Sequence, residues 1–486
     1  MIAALLLVPL VAAALVWRLG RPGWNCPIVL AVAVLHAAFT GSFWVDDPAP
    51  LLDGWIGLDA VGRWFLTATS VLNLATAAYT IGYLGRDRRG DEPRSRARFC
   101  ALQLTFLATL TLAALCRHFE LLWIAIEATT LASAPLIYFH RSRHALEATW
   151  KYLVLCSVGI GLALLGTVFL GIAASAAQGG GLGLDALTEA APDMDGSLVR
   201  LAFVFLVVGY GTKAGLAPMH TWLPDAHSEA PSPVSALLSG ASLNCAVLGI
   251  VRVLPLVDAS GGGPFARGIL VALGLASLLT AAVFTVGQRD YKRLLAYSSV
   301  EHMGIVALGL GIGGVATQGA LLHALGHSLV KGMLFLVSGN LLSTFHTKKV
   351  DEVRGALRRR PASGSLWLVG LFLATGAPPS PLFVSELAVL KGAIDSGQAA
   401  VAVAFLAGIS IVFVGMASAF LPMALGEPSS RGPAGLDDGR DRRDTPWLVV
   451  PPAALAVALV VLGAWLPGPV ARCLEMAARI VTGGNG

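Results

Sequence analysis

LAFVFLVVGYGTKAGLAP, residues 201–218, is an apolar run that holds one lysine and stops on a proline. From Leu201 to Gly211 it has no polar stripe, so a helix made of it is apolar on every side. Such a helix is at home in hydrocarbon. Lys213 then puts an ammonium where charge is expensive, and Gly215 with Pro218 interrupts the helix a few residues later. A charge beside a helix break, inside one apolar segment, marks a membrane-embedded site.

The rest of the chain agrees. Of its 486 residues, 56% are hydrophobic and only 13% charged, and mean hydropathy is +0.73. A water-soluble globule is excluded by these values. Apolar runs of about twenty residues recur throughout, each able to cross a core of roughly 30 Å. Backbone groups in lipid must be paired within the segment, so the runs are helices; the alternation of a β-barrel is missing. The expected class is all-α integral membrane, with about fourteen transmembrane helices. They fall at 1–18, 27–44, 57–84, 98–116, 119–139, 148–173, 200–219, 230–257, 265–287, 296–313, 317–344, 364–391, 397–424 and 446–467. The whole chain, 1–486, reads as one polytopic membrane domain. The first run has neither a basic leader nor an evident cleavage site, and it is taken as helix one rather than a signal peptide.

The net charge of +5 does not point to nucleic acid, because the Arg and Lys residues sit in short loops. The basic loops follow odd-numbered helices: Arg18 with Arg21, Arg86 to Arg96, Arg141 with Arg143, Lys348 to Arg360, and Arg431 to Arg443. The positive-inside rule puts these in the cytoplasm and both termini outside, at a plasma membrane. The six cysteines lack a CxxC spacing and lie mostly in apolar runs, which implies neither a metal cluster nor a disulfide frame. Motifs for a flavin, nucleotide or iron–sulfur cluster are missing, so no cofactor is expected in this chain.

Helix twelve repeats the interruption of helix seven, through Gly376-Ala377-Pro378-Pro379-Ser380-Pro381. Paired breaks in corresponding halves point to a transporter core of inverted repeats, although a single break would be read as an ordinary proline kink. Buried charges accompany both. Glu127 stands in helix five. With Lys213 it forms either a static salt bridge or a pair whose spacing sets a proton affinity, since burial disfavours charge and an opposite charge nearby favours it. On helix eleven, His323, His327 and Lys331 are four residues apart and stack along one face, spanning roughly 12 Å. Histidine can accept on one nitrogen and donate from the other, as a proton relay requires. Zinc is a poor reading, with no carboxylate or thiol to complete a site. Glu386, after the helix-twelve break, reads as a terminal acceptor, with Lys391 five residues on. Lys151 is either an intermediate partner or a snorkelling side chain. His220, Asp225 and His227 either guide entry or cap exposed backbone.

GTKAGLAPMHTWLPDAHSEAPSPVSALLS, residues 211–239, closely resembles the antiporter-like membrane subunits of respiratory complex I and its hydrogenase relatives. The Glu127 helix, Arg289 to Gly304, His323 to Gly339 and Gly376 to Glu386 agree in order, so the likeness covers nearly the whole chain. Glu127-Ala128-Thr129-Thr130, Trp150-Lys151-Tyr152 and Glu301-His302 look like the branch of hydrogenase-4 component F. The resemblance implies two inverted five-helix repeats, helices four to eight (98–257) and nine to thirteen (265–424). Helices one to three (1–84) and helix fourteen flank them. It also implies a proton path through Glu127, Lys213, His323, His327, Lys331 and Glu386. One departure is Asn244, where many relatives carry a helix-eight lysine; Asn can organise water but holds no transferable charge.

These readings converge on a proton-translocating subunit of a redox-driven complex, hydrogenase-4-like or NADH:quinone-oxidoreductase-like, and itself without redox chemistry. Its partners would be other membrane subunits and a peripheral redox arm. The alternatives are a cation/proton antiporter subunit and the membrane partner of an inorganic-carbon uptake system.

Overall fold

The computed structural model describes residues 1–20, 23–86, 93–177, 180–427 and 444–484. Of the basic loop residues, Arg21, Arg88, Arg89 and those from Arg431 to Arg443 lie outside the described residues. Six helices come first, Ile2–Leu19, Asn25–Ser42, Ala60–Arg86, Pro93–Leu115, Phe119–Ile137 and Arg143–Ala176. Helix seven is Gly196–Ala214 followed by Trp222–Glu229, and helix eight is Ser232–Ala259. Gly263–Thr285, Tyr291–Ile312 and Val315–Phe345 follow as helices nine to eleven. Helix twelve is Pro361–Ala374 with Pro381–Asp395, and Ala399–Leu425 and Pro446–Ala464 complete the set.

Among the described residues, twelve of these fourteen, the broken helix seven included, are long and apolar enough to cross a membrane. The other two have physical reasons to fall short. Helix three carries a polar line of Thr69, Ser70, Asn73, Thr76 and Thr80, all buried inside the bundle. Helix twelve is divided into two shorter pieces.

Boundaries shift where a cap lies outside the apolar run. Ser142 accepts from the Ala145 amide at 2.9 Å, so helix six begins at Arg143, one turn before hydropathy rises. Asp195 does the same for helix seven by accepting from Ser197 N at 2.8 Å. Helix seven ends at Ala214 rather than 219, because Gly215 takes φ 77° and its N–H closes back on Thr212. Gly376 has φ 67° at the corresponding point of helix twelve. In each case a cis proline follows three residues later, at Pro218 and Pro379. Five is an odd number of crossings, so helices four to eight and nine to thirteen start on opposite faces. The break falls in the fourth helix of each set. That is the inverted-repeat arrangement.

Ion pairs sort the loops onto two faces. Lys151–Asp225–Arg293 ties helix six to the ends of seven and ten, Lys348–Glu229 joins the eleven-to-twelve connection to seven, and Arg360–Asp444 joins twelve to fourteen. The other face gathers Arg63–Asp47, Arg117–Asp185, Arg252–Asp59 and Arg267–Asp258. Both described chain ends lie on this second face. Ile2 packs with Phe43, Ile56 and Leu115. Beyond helix fourteen a helix absent from the sequence reading, Gly468–Val481, turns Cys473, Leu474, Ala477, Ala478 and Val481 inward against helices three, eight and eleven.

Burial grades inward. Helices eight and eleven are surrounded by protein along their whole apolar windows, while helices one, two, thirteen and fourteen are buried over only a third of theirs. A lipid-facing residue and a core residue are equally apolar here, so what distinguishes the centre is its polar content.

Candidate functional site

Lys213 occupies the last turn of the first half of helix seven and is fully buried. Its ammonium donates to Thr130 Oγ1 at 2.8 Å and to the Tyr152 hydroxyl at 2.6 Å. It also lies 4.7 Å from the centre of the Tyr152 ring. The expected contact with Glu127 is not made. Glu127 is one turn before Thr130 on helix five, where Oε1 accepts from Ser157 at 2.7 Å and Oε2 is buried without a hydrogen-bond partner. It acts on Lys213 through space only. A helix-six phenol therefore stands where a salt bridge was expected. The Tyr152 hydroxyl also meets Ser133 Oγ at 2.7 Å, so it can receive from the ammonium and hand on.

Lys151 is not in this group. It points outward, 45% exposed, and pairs with Glu147 at 2.7 Å and Asp225 at 2.9 Å. Consecutive helical residues face about 100° apart, so Tyr152 takes the inward direction and Lys151 the outer. Of its two readings, this placement agrees with the outward, snorkelling one: it anchors the loop face.

The helix-eleven trio is buried as its spacing implies, with His323, His327 and Lys331 all at 0% exposure. A third histidine, His302 of helix ten, completes it. His302 Nδ1 and His323 Nε2 are 2.8 Å apart, and the His302 ring lies 5.1 Å from that of His327. His323 Nδ1 continues to Ser385 Oγ at 2.8 Å, on the second half of helix twelve. Ser385 immediately precedes Glu386, whose carboxylate lies against Gly376 in the break. A side chain at 376 would displace it. Glu301, beside His302, is near enough to both Lys331 and Glu386 to feel their charges.

Helix eight contributes backbone. Over Leu238–Ser242 it widens into a π-turn, which frees carbonyls from the helix ladder. His327 Nε2 donates to Ser239 O at 3.2 Å and Ser328 Oγ donates to Gly240 O at 2.5 Å, while Lys331 Nζ donates to Leu295 O of helix ten at 3.2 Å. Asn244 lies one turn further on. Its amide donates to Ser328 Oγ at 2.6 Å and Ala324 O at 3.0 Å, and its Oδ1 is buried unbonded. Asn244 thus clasps helix eight to helix eleven. His220 sits in the turn between the two halves of helix seven, with its ring 6.3 Å from Tyr297.

Among the described residues no three His, Cys, Asp or Glu side chains converge to hold a metal ion. The arrangement is a buried file of titratable side chains. Glu301-His302 was quoted in the sequence only as a family likeness, and Tyr152 likewise. Neither stands at a spacing that marks it alone, because each is recruited from a neighbouring helix.

Residues 117–412 match the family model described as NADH:quinone oxidoreductase/Mrp antiporter, TM. The chain is 38% identical to a hydrogenase-4 component F homolog of Methylacidiphilum infernorum over 342 residues, covering 69% of this chain and 72% of that one. It is 30% identical to NADH-quinone oxidoreductase subunit N of Desulforudis audaxviator over 452 residues, covering 89% and 87%. Among solved structures, a chain of respiratory complex I from Thermus thermophilus superposes with TM-score 0.79 at 27% identity, covering 98% of this chain and 100% of that one. The match extends through both broken helices and the whole histidine file: the chain belongs to the NADH:quinone oxidoreductase/Mrp antiporter transmembrane family.

Proposed function

We propose that this chain is a proton-translocating membrane subunit of a multi-subunit, redox-driven complex of hydrogenase-4 or NADH:quinone oxidoreductase type. The observation that carries the reading is the His302–His323–Ser385 chain of contacts at 2.8 Å, closed on one side by Lys331 and leading on the other to Glu386. Histidine passes protons between its two nitrogens, and a succession of such groups enclosed by protein is a conduit. Redox chemistry belongs to partner subunits. A change relayed from them would reset Lys213, and a proton would then travel along helix eleven towards Glu386. The basic loops face the cytoplasm of a plasma membrane and both termini the other side, as the alternation of Arg and Lys implies.

The test is to purify the chain with its companions, reconstitute the complex in vesicles and supply an electron donor. Donor pulses are expected to drive protons across the membrane in wild type and not in an assembled His327→Ala complex. Normal pumping by that variant, or sodium-driven exchange without any donor, would refute the reading.

Tyr152→Phe sharpens it. Phenylalanine keeps the ring against Lys213 and removes the hydroxyl alone. A hydrogen bond to a charged group contributes about 1.5–3 kcal/mol, so the pumping rate should fall by roughly tenfold or more while assembly is retained. Proton-flux traces from the same vesicles check it.

A further inference from the structure

His227 lies in the second half of helix seven, fully buried, and neither of its ring nitrogens has a hydrogen-bond partner in the protein. The ring stacks on Phe335 at 5.1 Å and 21°, and leans on Trp222 at 6.3 Å. Trp222 in turn packs at 4.9 Å on Tyr152, which holds Lys213. Phe335 is one helical turn beyond Lys331. The imidazole therefore stands between Lys213 and Lys331, and it feels the charges of Lys331, His327 and a third buried lysine, Lys292. Its position is held from the backbone, where Ser235 Oγ donates to His227 O at 2.9 Å.

Packing does not account for a histidine here. A phenylalanine would fill the same aromatic box without the desolvation that two unmet nitrogens cost. Asn244 is committed by its amide to helix eleven and has no proton to transfer. Resting on the proton-translocating reading above, we propose that His227 is a proton-binding station between Lys213 and Lys331. One nitrogen takes a proton released by the Lys213 ammonium and the other gives one to the neutral amine of Lys331, with water as the carrier on each side. One proton moves, the imidazolium exists only in passage, and no electrons are exchanged.

The experiment is His227→Phe in the intact complex, reconstituted in vesicles and driven by an electron donor. Proton translocation is expected to fall by roughly a hundredfold or more, the range for removal of a proton-transfer group, with subunit composition unchanged. A filler role predicts no effect, so wild-type pumping by the assembled variant overturns the proposal. If the phenylalanine variant does not assemble, His227→Gln, which hydrogen-bonds but does not titrate, is read in the same way. His327→Ala run in parallel separates the two ideas. Its normal pumping would sink the function itself, whereas its loss beside a normal His227→Phe sinks only the station.

Discussion

A complex carrying Lys213→Met should assemble, unfold at the wild-type temperature or above it, and fail to move protons. Methionine matches the length and apolar stem of lysine. The ammonium is enclosed completely and touches only two hydroxyls, with no carboxylate in contact. Its burial is therefore a cost to folding that no ion pair offsets, and replacing such a charge by an apolar group is neutral or stabilising. Function should go the other way. Without a group that binds and releases a proton at this point, translocation should fall by roughly two orders of magnitude or more. Lys213→Arg should fail as well, since a guanidinium keeps its proton under all physiological conditions. Thermal unfolding of the purified complex and proton flux in vesicles, measured on the same preparation, check both halves. A variant that lost stability along with pumping would show that Lys213 is a structural tie.

Arg252→Ala should have the opposite profile, a large loss of stability from a residue outside the file. Arg252 of helix eight grips Asp59 with both terminal nitrogens, at 2.7 and 3.3 Å, with its side chain 3% exposed. Asp59 also accepts from the Gly62 amide at 2.6 Å and opens helix three. Gly62 is close-packed in turn, since a Cβ there would meet Ala114 O at 2.6 Å. Removing the guanidinium strands a carboxylate at the junction of helices three, four and eight, and losing one partner of a buried pair costs about 3–5 kcal/mol. The double variant Asp59→Asn/Arg252→Leu leaves no charge behind and should recover much of the loss. A double-mutant cycle of unfolding temperatures measures that recovery; additive losses would mean the two residues do not act as a pair.

The spans and the breaks are legible in the sequence because both are local properties. Hydropathy marks each crossing, and Gly215-Leu216-Ala217-Pro218 and Gly376-Ala377-Pro378-Pro379 interrupt the helix by their own chemistry. The helix-eleven trio is legible for the same reason, since four-residue spacing determines a face. What depends on facing across helices is not. Lipid is as apolar as the bundle interior, so hydropathy along helix six does not say that Tyr152 turns inward. His302 meets His323 only because helix ten packs on eleven. The π-turn at Leu238–Ser242 has no compositional mark, and its freed carbonyls are seen only when His327 and Ser328 are found on them. The Gly468–Val481 helix escaped because it is short and amphipathic, and a hydropathy window looks for neither.

The complete enclosure of helix eleven has an electrical consequence. His323 and Lys331 are eight residues apart, roughly 12 Å along the axis. Two unit charges at that separation repel by about 1.4 kcal/mol at an effective dielectric constant near 20. That is a tenfold drop in affinity for the second proton, and the intervening His302 and His327 lie closer still. The file is therefore anticooperative: a charge at one end disfavours a second at the other. Under the function proposed above, a proton arriving at the Lys331 end would weaken the hold on one nearer Glu386, which would couple departure to arrival.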